Sequence, residues 1–569
     1  MDIFSRAIAA TPILRDLPVA AQVPIIVIAF VVASVVLNVA SQLFLPKSRS
    51  APPVVFHYFP IIGSAITYGM DPYTFFFDCK EKYGDVFTFV LLGRKITVAL
   101  GPKGSNLIFN GKLSEVCAED VYNPVITPVF GKDAVYDVPN AVFMEQKRFV
   151  KSGLTSDNLR VYVGQIVDET EQFLKNDPKF AGFKSGKSAP VDIFKAMCEL
   201  TILTASRTLQ GEEVRQNLDK SFAGLYHDLD GGFTPLNFIM PGLPLPANFK
   251  RDRAQRKMAQ FYSEIVAKRR AAGSAEGAEP SQHHDMIATL MEQKYKNGRP
   301  LTDTEISTIM IALLMAGQHT SSATGSWALL RLGSKPELIQ EIYDEQVRVY
   351  GEPDGSLRPL DYETSKSSLP VLDAVIRETL RMHPPLHSLM RRVLQDIPVP
   401  PTLSANTRGT GLRQKEGETL IIPKGHNVLA APGVSAIDPT YWPDADQFLP
   451  SRWLEGGILK SEEKNGGAKS EATKGAATSN ETVDYGWGAV STGANSPYLP
   501  FGAGRHRCIG EQFAYLQLGT IIATIVRNFD WKIDGGDGKI GKTPEPDYTS
   551  MVVLPKLPCD LLMTKRETA

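Results

Sequence analysis

The sequence predicts an α+β fold that is mainly helical with small β-sheets and that follows a single membrane-spanning helix. Three observations support this prediction. Residues 23–40 form an apolar run without a charged side chain. Over the rest of the chain, helix-period stretches outnumber alternating ones, and the strand-like runs are short. With 569 residues and 43% hydrophobic content, the chain can bury a large core.

The overall composition excludes some classes of function. Lys and Arg total 61 against 62 for Asp and Glu, which gives a formal net charge of -1. The sequence therefore does not indicate a nucleic-acid-binding protein. The five cysteines lack the spacing of a zinc site, and a chain of this length does not need disulfides to fold. We expect the catalytic part to face a reducing compartment.

The apolar run at the amino end predicts a membrane anchor, because it is long enough to cross most of a hydrocarbon layer of about 30 Å. The alternative is a cleaved signal peptide, but the run exceeds a usual signal core and mixed charges precede it. Lys47 and Arg49 follow the run, which predicts a cytoplasmic location for the rest of the chain. The predicted segments are a lumenal segment at 1–22, a transmembrane helix at 23–44, a proline-rich linker at 45–55 and a catalytic domain at 56–569.

Local patterns predict further elements. Two apolar runs, Val86–Leu92 and Ile96–Leu100, are separated by three turn residues and predict a hairpin. Thr302, with a Glu three residues later, forms a capping box that predicts the start of a long helix ending near Leu332. Stretches rich in small and charged residues predict poorly ordered surface insertions, at residues 271–282 and 456–495.

The peptide PFGAGRHRCIG at residues 500–510 carries the strongest functional signal. Gly502 and Gly504 allow a tight turn that brings amide N–H groups toward a sulfur, and an apolar helical pattern follows. Both features favour a stable thiolate on Cys508. An isolated cysteine is more often a small buried hydrophobe, but these surroundings indicate a functional thiol.

FGAGRHRCIG resembles the haem-binding loop FxxGxxxCxG of the cytochrome P450 family. The resemblance implies the cytochrome P450 fold and a haem b whose iron takes the Cys508 thiolate as axial ligand. It also implies that Phe501, Gly502 and Gly510 contact the cofactor. A thiolate ligand favours O–O cleavage, which an oxygen-inserting enzyme requires.

A second motif is the pair Glu378 and Arg381 in ETLR. Three residues apart on a helix, the two side chains share one face and could simply form a surface ion pair. However, ExxR is followed by FLPSRW, which contains Arg452, and then by the cysteine loop. This order is similar to that of cytochromes P450, and the resemblance implies a buried structural network of Glu378, Arg381 and Arg452.

The predicted long helix contains a small-residue step, AGQHTS, at residues 316–321. Gly inside a helix is about 1 kcal/mol less stable than Ala, so Gly317 indicates a packing or functional requirement at this position. Thr320 could simply bond its own helix, but the resemblance implies a catalytic role in proton delivery. His319 stands where many cytochromes P450 have an acid, as in the sterol 14α-demethylases. Histidine could relay a proton or hold a hydrogen bond, and the sequence leaves this open.

The stretch YNPVITPVFGKDAVYD at residues 122–137 resembles the substrate-recognition segment of sterol 14α-demethylases. The resemblance implies two sets of contacts. The haem propionates are expected to be bound by Tyr122, Tyr136, Lys147, Arg391 and His506. The sterol pocket is expected to be lined by Tyr122, Phe130, Tyr136, Phe233, Phe238, Ala316, His319, Leu386, His387, Ser388 and Met551.

The resemblance is to the fungal type of this family, and it implies three O2- and NADPH-dependent oxidations of the 14α-methyl group of lanosterol or eburicol. Formate would be released, in ergosterol biosynthesis. Because the chain shows no nucleotide or flavin motif, electrons would come from a separate NADPH-cytochrome P450 reductase. The resemblance also implies a single-pass protein of the endoplasmic reticulum membrane, in contact with membrane lipid, whose haem iron binds azole inhibitors.

Two alternatives remain. One is another microsomal P450 that hydroxylates fatty acids or xenobiotics, and His319 together with the 122–137 block argues against it. The other is a P450-fold isomerase that does not activate O2. The presence of Thr320 and an uninterrupted cysteine loop argue against the isomerase.

Overall fold

A computed structural model describes residues 18–46, 48, 50–183, 187–218, 220–234, 237, 240–273, 285–405, 419–454, 494–537 and 539–566. Its α-helices are α1 (Val19–Phe44), α2 (Ala65–Met70), α3 (Pro72–Tyr83), α4 (Gly101–Phe109), α5 (Glu119–Phe130), α6 (Asn140–Ser152), α7 (Ser156–Asn176), α8 (Pro178–Ala181), α9 (Ile193–Ala205), α10 (Glu212–Gln216), α11 (Lys220–Asp230), α12 (Pro246–Gly273), α13 (Met286–Glu292), α14 (Asp303–Gly333), α15 (Pro336–Tyr350), α16 (Tyr362–Ser367), α17 (Pro370–Met382), α18 (Pro401–Ser404), α19 (Pro432–Ile437) and α20 (Glu511–Asn528). Its strands are β1 (Val86–Leu91), β2 (Arg94–Ala99), β3 (Val116–Cys117), β4 (Ser188–Asp192), β5 (Leu389–Val393), β6 (Ile397–Pro398), β7 (Ile421–Ile422), β8 (Asn427–Ala430), β9 (Phe529–Ile533), β10 (Pro546–Asp547), β11 (Leu554–Pro555) and β12 (Asp560–Lys565). The prediction of a mainly helical fold with small sheets is confirmed.

The chain divides into two units, one of Met1–Ala99 with Val393–Leu429 and the other of Leu100–Arg392 with Ala430–Ala569. In the first unit β1 and β2 form the predicted hairpin, with Val86 opposite Ala99. Leu92 and Gly93 both have positive φ, 49° and 80°, as a two-residue hairpin turn requires. The turn is therefore tighter than predicted, and β2 begins two residues earlier.

The amino-terminal helix α1 also belongs to the first unit, and Ala21–Phe44 has the length and apolar composition of a membrane span. Its last turns carry a polar stripe. Asn38 Nδ2 donates to the carbonyls of His57 and Tyr58, at 2.8 and 2.9 Å. Gln42 exchanges two hydrogen bonds with the backbone of His57. These bonds fix the carboxyl end of α1 to the segment that follows the proline-rich linker.

In the second unit the core forms around α14, the predicted long helix. The capping box of Thr302 and Glu305 is present at its start. Most of its side chains are buried, as expected of a helix that is apolar on all sides. Helices α9 and α12 pack along it, and α17 and α20 also contact it. The strands β4, β12 and β9 form an antiparallel sheet in that order.

Two predicted insertions fall largely outside the described residues. Helix α12 continues to Gly273, and residues 274–282 of the first insertion are not described. Of the insertion predicted at 456–495, only Ala494 and Asn495 are described.

Candidate active site

A cavity of about 300 Å³ lies inside the second unit, between α14 and the loop that precedes α20. One wall is formed by the small-residue step of α14, with Ala316, Gly317 and Thr320. The opposite wall is formed by the predicted cysteine loop, including Gly502 and Cys508. The fold thus brings the two strongest sequence motifs face to face across one interior space.

The glycines of the cysteine loop are required by its backbone. Gly502 and Gly504 have φ of 68° and 65°, which residues with a Cβ rarely adopt. A Cβ on Gly504 would lie 2.3 Å from the Phe109 carbonyl oxygen. The Cys508 N–H donates to the Phe501 carbonyl at 3.0 Å, which closes the turn. The Cys508 side chain is exposed and lines the cavity.

The surroundings of the Cys508 thiol have opposing effects on its pKa. Burial raises the pKa of this thiol, whereas the Gly510 N–H and the positive charges of Lys147 and Arg507 lower it. Arg507 forms two hydrogen bonds with Glu511, at 2.9 and 3.0 Å. Coordination to a metal ion deprotonates a thiol outright, so a bound iron would overcome the effect of burial.

One end of the cavity is polar and positively charged. Arg391 lines it and is 4% exposed, yet in the described part of the chain no carboxylate lies within 4.0 Å of its guanidinium. Its Nη1 donates to the Met390 carbonyl at 2.7 Å. His506 lines the same end, and its buried Nδ1 has no hydrogen-bond partner among the described residues. Burial and the nearby Arg391 lower the pKa of His506 to about 3, so this cluster can accept a carboxylate ligand.

Much of the remaining lining is apolar. It includes the side chains of Leu154, Met286, Phe513 and Leu518. Leu209 is placed there by a π-helical turn, Ser206–Gln210, at the end of α9. Haem carries two carboxylates on one edge and hydrocarbon groups on the other. A thiol donor, a cationic end and a largely apolar remaining lining therefore fit a haem in one defined orientation.

Helix α6 contacts both the cysteine loop and the loop that carries Tyr136. The Lys147 ammonium donates to the carbonyls of Arg505 and Arg507, both at 2.8 Å. Burial lowers the pKa of Lys147 to about 8. Lys147 thus holds the cysteine loop through its backbone, and its predicted contact with a propionate stays a prediction. The ring of Phe143 lies 5.3 Å from that of Tyr136 and 5.7 Å from that of His506.

The two predicted tyrosines lie side by side, with ring centroids 5.4 Å apart. Tyr136 lines the cavity, and burial raises its pKa to about 12. The Tyr122 hydroxyl accepts a hydrogen bond from the Met390 N–H at 2.9 Å. Phe130 packs against Phe233, with ring centroids 6.0 Å apart. Of the predicted residues of the 122–137 block, the structure places Tyr136 in the cavity lining, whereas Tyr122 and Phe130 are not among the lining residues.

The Thr320 hydroxyl lines the cavity and donates to the Ala316 carbonyl of its own helix at 2.8 Å. A Cβ on Gly317 would meet no atom within 4 Å, so this glycine faces the open space. Thr324 also lines the cavity, and its hydroxyl donates to the Thr320 carbonyl. The sequence analysis missed Thr324, although its spacing of four from Thr320 places both on one helix face.

His319 points toward α11 instead of the Cys508 side of the cavity. Its Nε2 lies 3.0 Å from Asp230 Oδ1, although the two groups are not aligned as a hydrogen bond. Its ring centroid is 5.3 Å from that of Tyr226, whose hydroxyl donates to Gln318. Asp230 thus lies beside the predicted catalytic segment of α14, and no sequence motif indicated this contact.

The other predicted sterol contacts divide into two groups. Ala316 and Leu386 line the cavity, whereas His387, Ser388 and Met551 are partly buried elsewhere. The His387 carbonyl accepts from the Gly433 N–H at 3.0 Å. Phe238 lies outside the described residues.

A second cluster of charges, formed by Glu378, Arg381 and Arg452, is buried. We call it the closed cluster because its charged groups bond one another. Arg381 Nε and Nη2 donate to the two carboxylate oxygens of Glu378, both at 2.9 Å. Arg452 Nε donates to the same carboxylate at 3.3 Å. The Trp453 indole N–H also donates to it, at 2.9 Å. The ring of Trp453 contacts that of Tyr498 at 4.7 Å, so the cluster reaches the start of the cysteine loop through a residue that the sequence analysis left without a role.

A family model described as cytochrome P450 matches residues 52–563 of the chain. The chain belongs to the cytochrome P450 family. Its fold is similar to that of a solved cyanobacterial cytochrome P450, CYP120A1 with bound retinoic acid. That structure has a TM-score of 0.68 at 20% identity, covering 91% of this chain and 100% of the other. A haem iron with a thiolate ligand follows from the family.

Curated relatives narrow the comparison within the cytochromes P450. This P450 is 62% identical to the lanosterol 14-alpha demethylase of Mycosarcoma maydis, with 94% of this chain and 91% of the relative covered. It is 47% identical to lanosterol 14-alpha demethylase erg11 of Schizosaccharomyces pombe, over 95% and 100% of the two chains. It is 48% identical to sterol 14-alpha demethylase cyp51A of Aspergillus fumigatus, over 94% and 96%.

Proposed function

We propose that this P450 is a sterol 14α-demethylase of ergosterol biosynthesis. It oxidises the 14α-methyl group of lanosterol or eburicol in three steps, each consuming O2 and NADPH, and the carbon leaves as formate. The observation that carries the proposal is the single cavity that is lined by both Cys508 and Thr320. The 62% identity to a lanosterol 14-alpha demethylase over 94% of the chain supports the sterol assignment.

We propose that the Cys508 thiolate would bind the haem iron and that Phe501, Gly502 and Gly510 would contact the cofactor. When bound, the haem supplies the chemistry that cleaves dioxygen. Among the described residues, no carboxylate pairs with the Arg391 guanidinium, and the His506 Nδ1 has no hydrogen-bond partner. Both observations support the assignment of these residues to the propionates, because buried cations require anions. The neighbouring hydroxyls and ammonium complete this set, which is Tyr122, Tyr136 and Lys147.

We propose that Thr320 and His319 deliver protons from opposite sides of α14. The Thr320 hydroxyl is held at the cavity wall by its bond to the Ala316 carbonyl. His319 lies 3.0 Å from Asp230, whose side chain is 44% exposed. A carboxylate open to solvent can exchange protons with water and pass them to a neighbouring histidine.

The sterol is expected to occupy the region beyond the small-residue step of α14. An apolar space with few polar groups suits a rigid sterol that carries one hydroxyl. The proposed contacts in the described part of the chain are Tyr122, Phe130, Tyr136, Phe233, Ala316, His319, Leu386, His387, Ser388 and Met551. Phe238 remains a proposed contact from the resemblance alone.

We propose that the protein is anchored in the endoplasmic reticulum membrane with its catalytic domain, residues 56–569, in the cytoplasm. The unburied apolar helix Ala21–Phe44 supports the span proposed at 23–44 and its contact with lipid. Lys47 and Arg49 in the linker at 45–55 support the orientation, with residues 1–22 in the lumen.

The electron donor is proposed to be a separate NADPH-cytochrome P450 reductase, since no nucleotide-binding motif occurs in the sequence. Azole inhibitors are proposed to bind the haem iron from the side of α14, where Gly317 leaves open space.

The decisive experiment is a reconstituted reaction with the reductase, NADPH and either lanosterol or eburicol. The expected result is a 14-demethylated sterol with formate in equal amount, measured by mass spectrometry. A fatty acid of similar mass serves as the control substrate. Oxidation of the fatty acid without any sterol product would remove the sterol assignment and leave the family unaffected.

A further inference from the structure

The loop that carries Tyr136 has an unfavourable backbone. Val135, directly before Tyr136, has φ of 58°, and Asp133 has φ of 65°. A left-handed conformation is especially costly for a β-branched residue. Because relaxation of Val135 would turn the following side chain, the direction of Tyr136 depends on whatever holds this turn.

Gln146 on α6 bonds both sides of the turn. Its Oε1 accepts from the Val135 N–H and its Nε2 donates to the Asp133 carbonyl, both at 3.1 Å. The side chain of Gln146 is 2% exposed, so water does not compete for either bond. The buried amide of Gln146 therefore satisfies two backbone groups of the left-handed turn that face α6, the Val135 N–H and the Asp133 carbonyl.

Gln146 is oriented in turn by the start of α14. Its Nε2 also donates to the Tyr295 hydroxyl at 3.0 Å, and that hydroxyl donates to Glu305 Oε1 at 2.7 Å. Since Tyr295 gives its proton to the carboxylate, it can only accept from Gln146, which excludes the flipped amide. Glu305 belongs to the capping box of α14. A continuous chain of bonds thus joins the start of α14 to the Tyr136 turn.

We propose that Gln146 is a positioning residue for Tyr136, fixing the strained Asp133–Val135 turn so that the Tyr136 ring faces the cavity. Tyr136 lines the cavity, and its ring packs on Phe143, one helical turn before Gln146. The proposal rests on the proposed function where it expects Tyr136 to contact haem and sterol. Gln146 itself touches neither the cavity nor Cys508, and it acts through the turn.

The test uses the full-length holoenzyme in detergent with the variant Gln146→Leu. Hydrogen exchange of the peptide spanning residues 131–138 is expected to become about tenfold faster, since each buried bond lost favours local opening. The dissociation constant for lanosterol, from the spin-state change of the haem, is expected to rise about tenfold. Tyr295→Phe removes a single oxygen, preserves packing and is expected to shift both quantities in the same direction by a smaller factor.

Gln346→Leu is the matched control. Gln346 is also buried, and its amide has two partners, the Ala523 carbonyl and the Arg527 guanidinium. Its loss should leave the 131–138 peptide and lanosterol binding unchanged. The same changes in both variants would show general destabilisation and overturn the proposal.

The double variant Val135→Gly with Gln146→Leu separates positioning from stability. Glycine adopts the left-handed conformation without strain, so slow exchange and tight lanosterol binding should return. Failure of Val135→Gly to restore either quantity would overturn the proposal. If the wild type itself ignores lanosterol, the proposed function fails, and the exchange measurements alone still decide the role of Gln146.

Discussion

Arg381 and Arg391 are both buried, at 0% and 4% exposure, but their guanidinium groups are bonded very differently. Arg381 uses all five of its N–H donors, on Glu378 and on three carbonyls. Within the described part of the chain, Arg391 donates once, to the carbonyl of its neighbour Met390. A buried charge that is left unsaturated is unfavourable unless another group satisfies it. The closed cluster of Glu378, Arg381 and Arg452 is therefore satisfied within the fold, and we propose that the open cluster of Arg391 and His506 binds a ligand.

The largest expected effect tests whether the open cluster belongs to a haem site at all. Cys508→Ala should abolish demethylation and remove the absorption band that the reduced, CO-bound protein owes to a thiolate ligand. Circular dichroism should show unchanged helix content, since the thiol accepts no bond that the fold requires. A variant that keeps the thiolate band would contradict the assignment of the ligand.

The closed cluster is tested by Arg381→Met, which leaves the buried Glu378 without its main partner. The free energy of unfolding is expected to fall by about 3 to 5 kcal/mol, as for other broken buried ion pairs. Urea unfolding of the haem-free protein, followed by tryptophan fluorescence, measures the change. Arg160→Met, which removes an exposed surface pair with Glu363, is the control and should change little.

Arg391→Met tests the open cluster and should separate haem retention from folding. Loss of a buried charge partner is expected to speed haem transfer to apomyoglobin by about 30-fold or more. The urea midpoint of the haem-free protein should not fall, because the variant removes an unsaturated charge. If Arg391→Met destabilises the haem-free protein as much as Arg381→Met does, the distinction between the two clusters is wrong.

Glu305 is a carboxylate whose hydrogen-bond partners, like those of Arg381, belong to the fold itself. Its hydrogen bonds from Arg299, Thr302 and Tyr295 outweigh burial and lower its pKa from 4.5 to about 2. The folded chain binds this proton less readily than the unfolded chain, so the stabilisation is present above pH 4.5 and is lost as pH falls toward 2. Glu305→Gln should therefore reduce the stability difference between pH 7 and pH 3 by about 1 to 2 kcal/mol, because the exposure of Arg299 weakens the pair. Thermal midpoints at the two pH values measure it, and an unchanged difference would contradict this role.

The ion pair of Glu378 with Arg381 and the turn of the cysteine loop could be predicted because their signals are local, whereas the burial of the pair and the participation of Arg452 were implied only by the resemblance to cytochromes P450. The ExxR pair lies on one helix turn, and the glycines next to Cys508 specify their own turn. The Trp453 bond to Glu378 joins positions 75 residues apart, and the Lys147 bonds to the cysteine loop span about 360 residues. Neither contact leaves a periodic pattern in the sequence.

Other features of the site depend on backbone conformation and helix packing that the sequence pattern does not predict. Valine is among the least favoured residues for positive φ, so no propensity predicts the turn at Val135. His319 was expected at the catalytic step, but its approach to Asp230 follows from the packing of α11 beside α14, which short motifs do not encode. Thr324 is different, since helical spacing alone could have revealed it.

Phe143, Gln146 and Lys147 lie on one face of α6 and contact the Tyr136 turn and the cysteine loop. A substitution at Gln146 or Lys147 alters the contacts of a single loop, whereas Phe143 contacts both loops. A one-residue insertion after Phe143 would rotate everything downstream by about 100° around the helix axis. Both loops would then lose their contacts together. The spacing of these residues along α6 is thus constrained more strictly than the identity of each one. We expect insertions and deletions in α6 to be tolerated far less than substitutions.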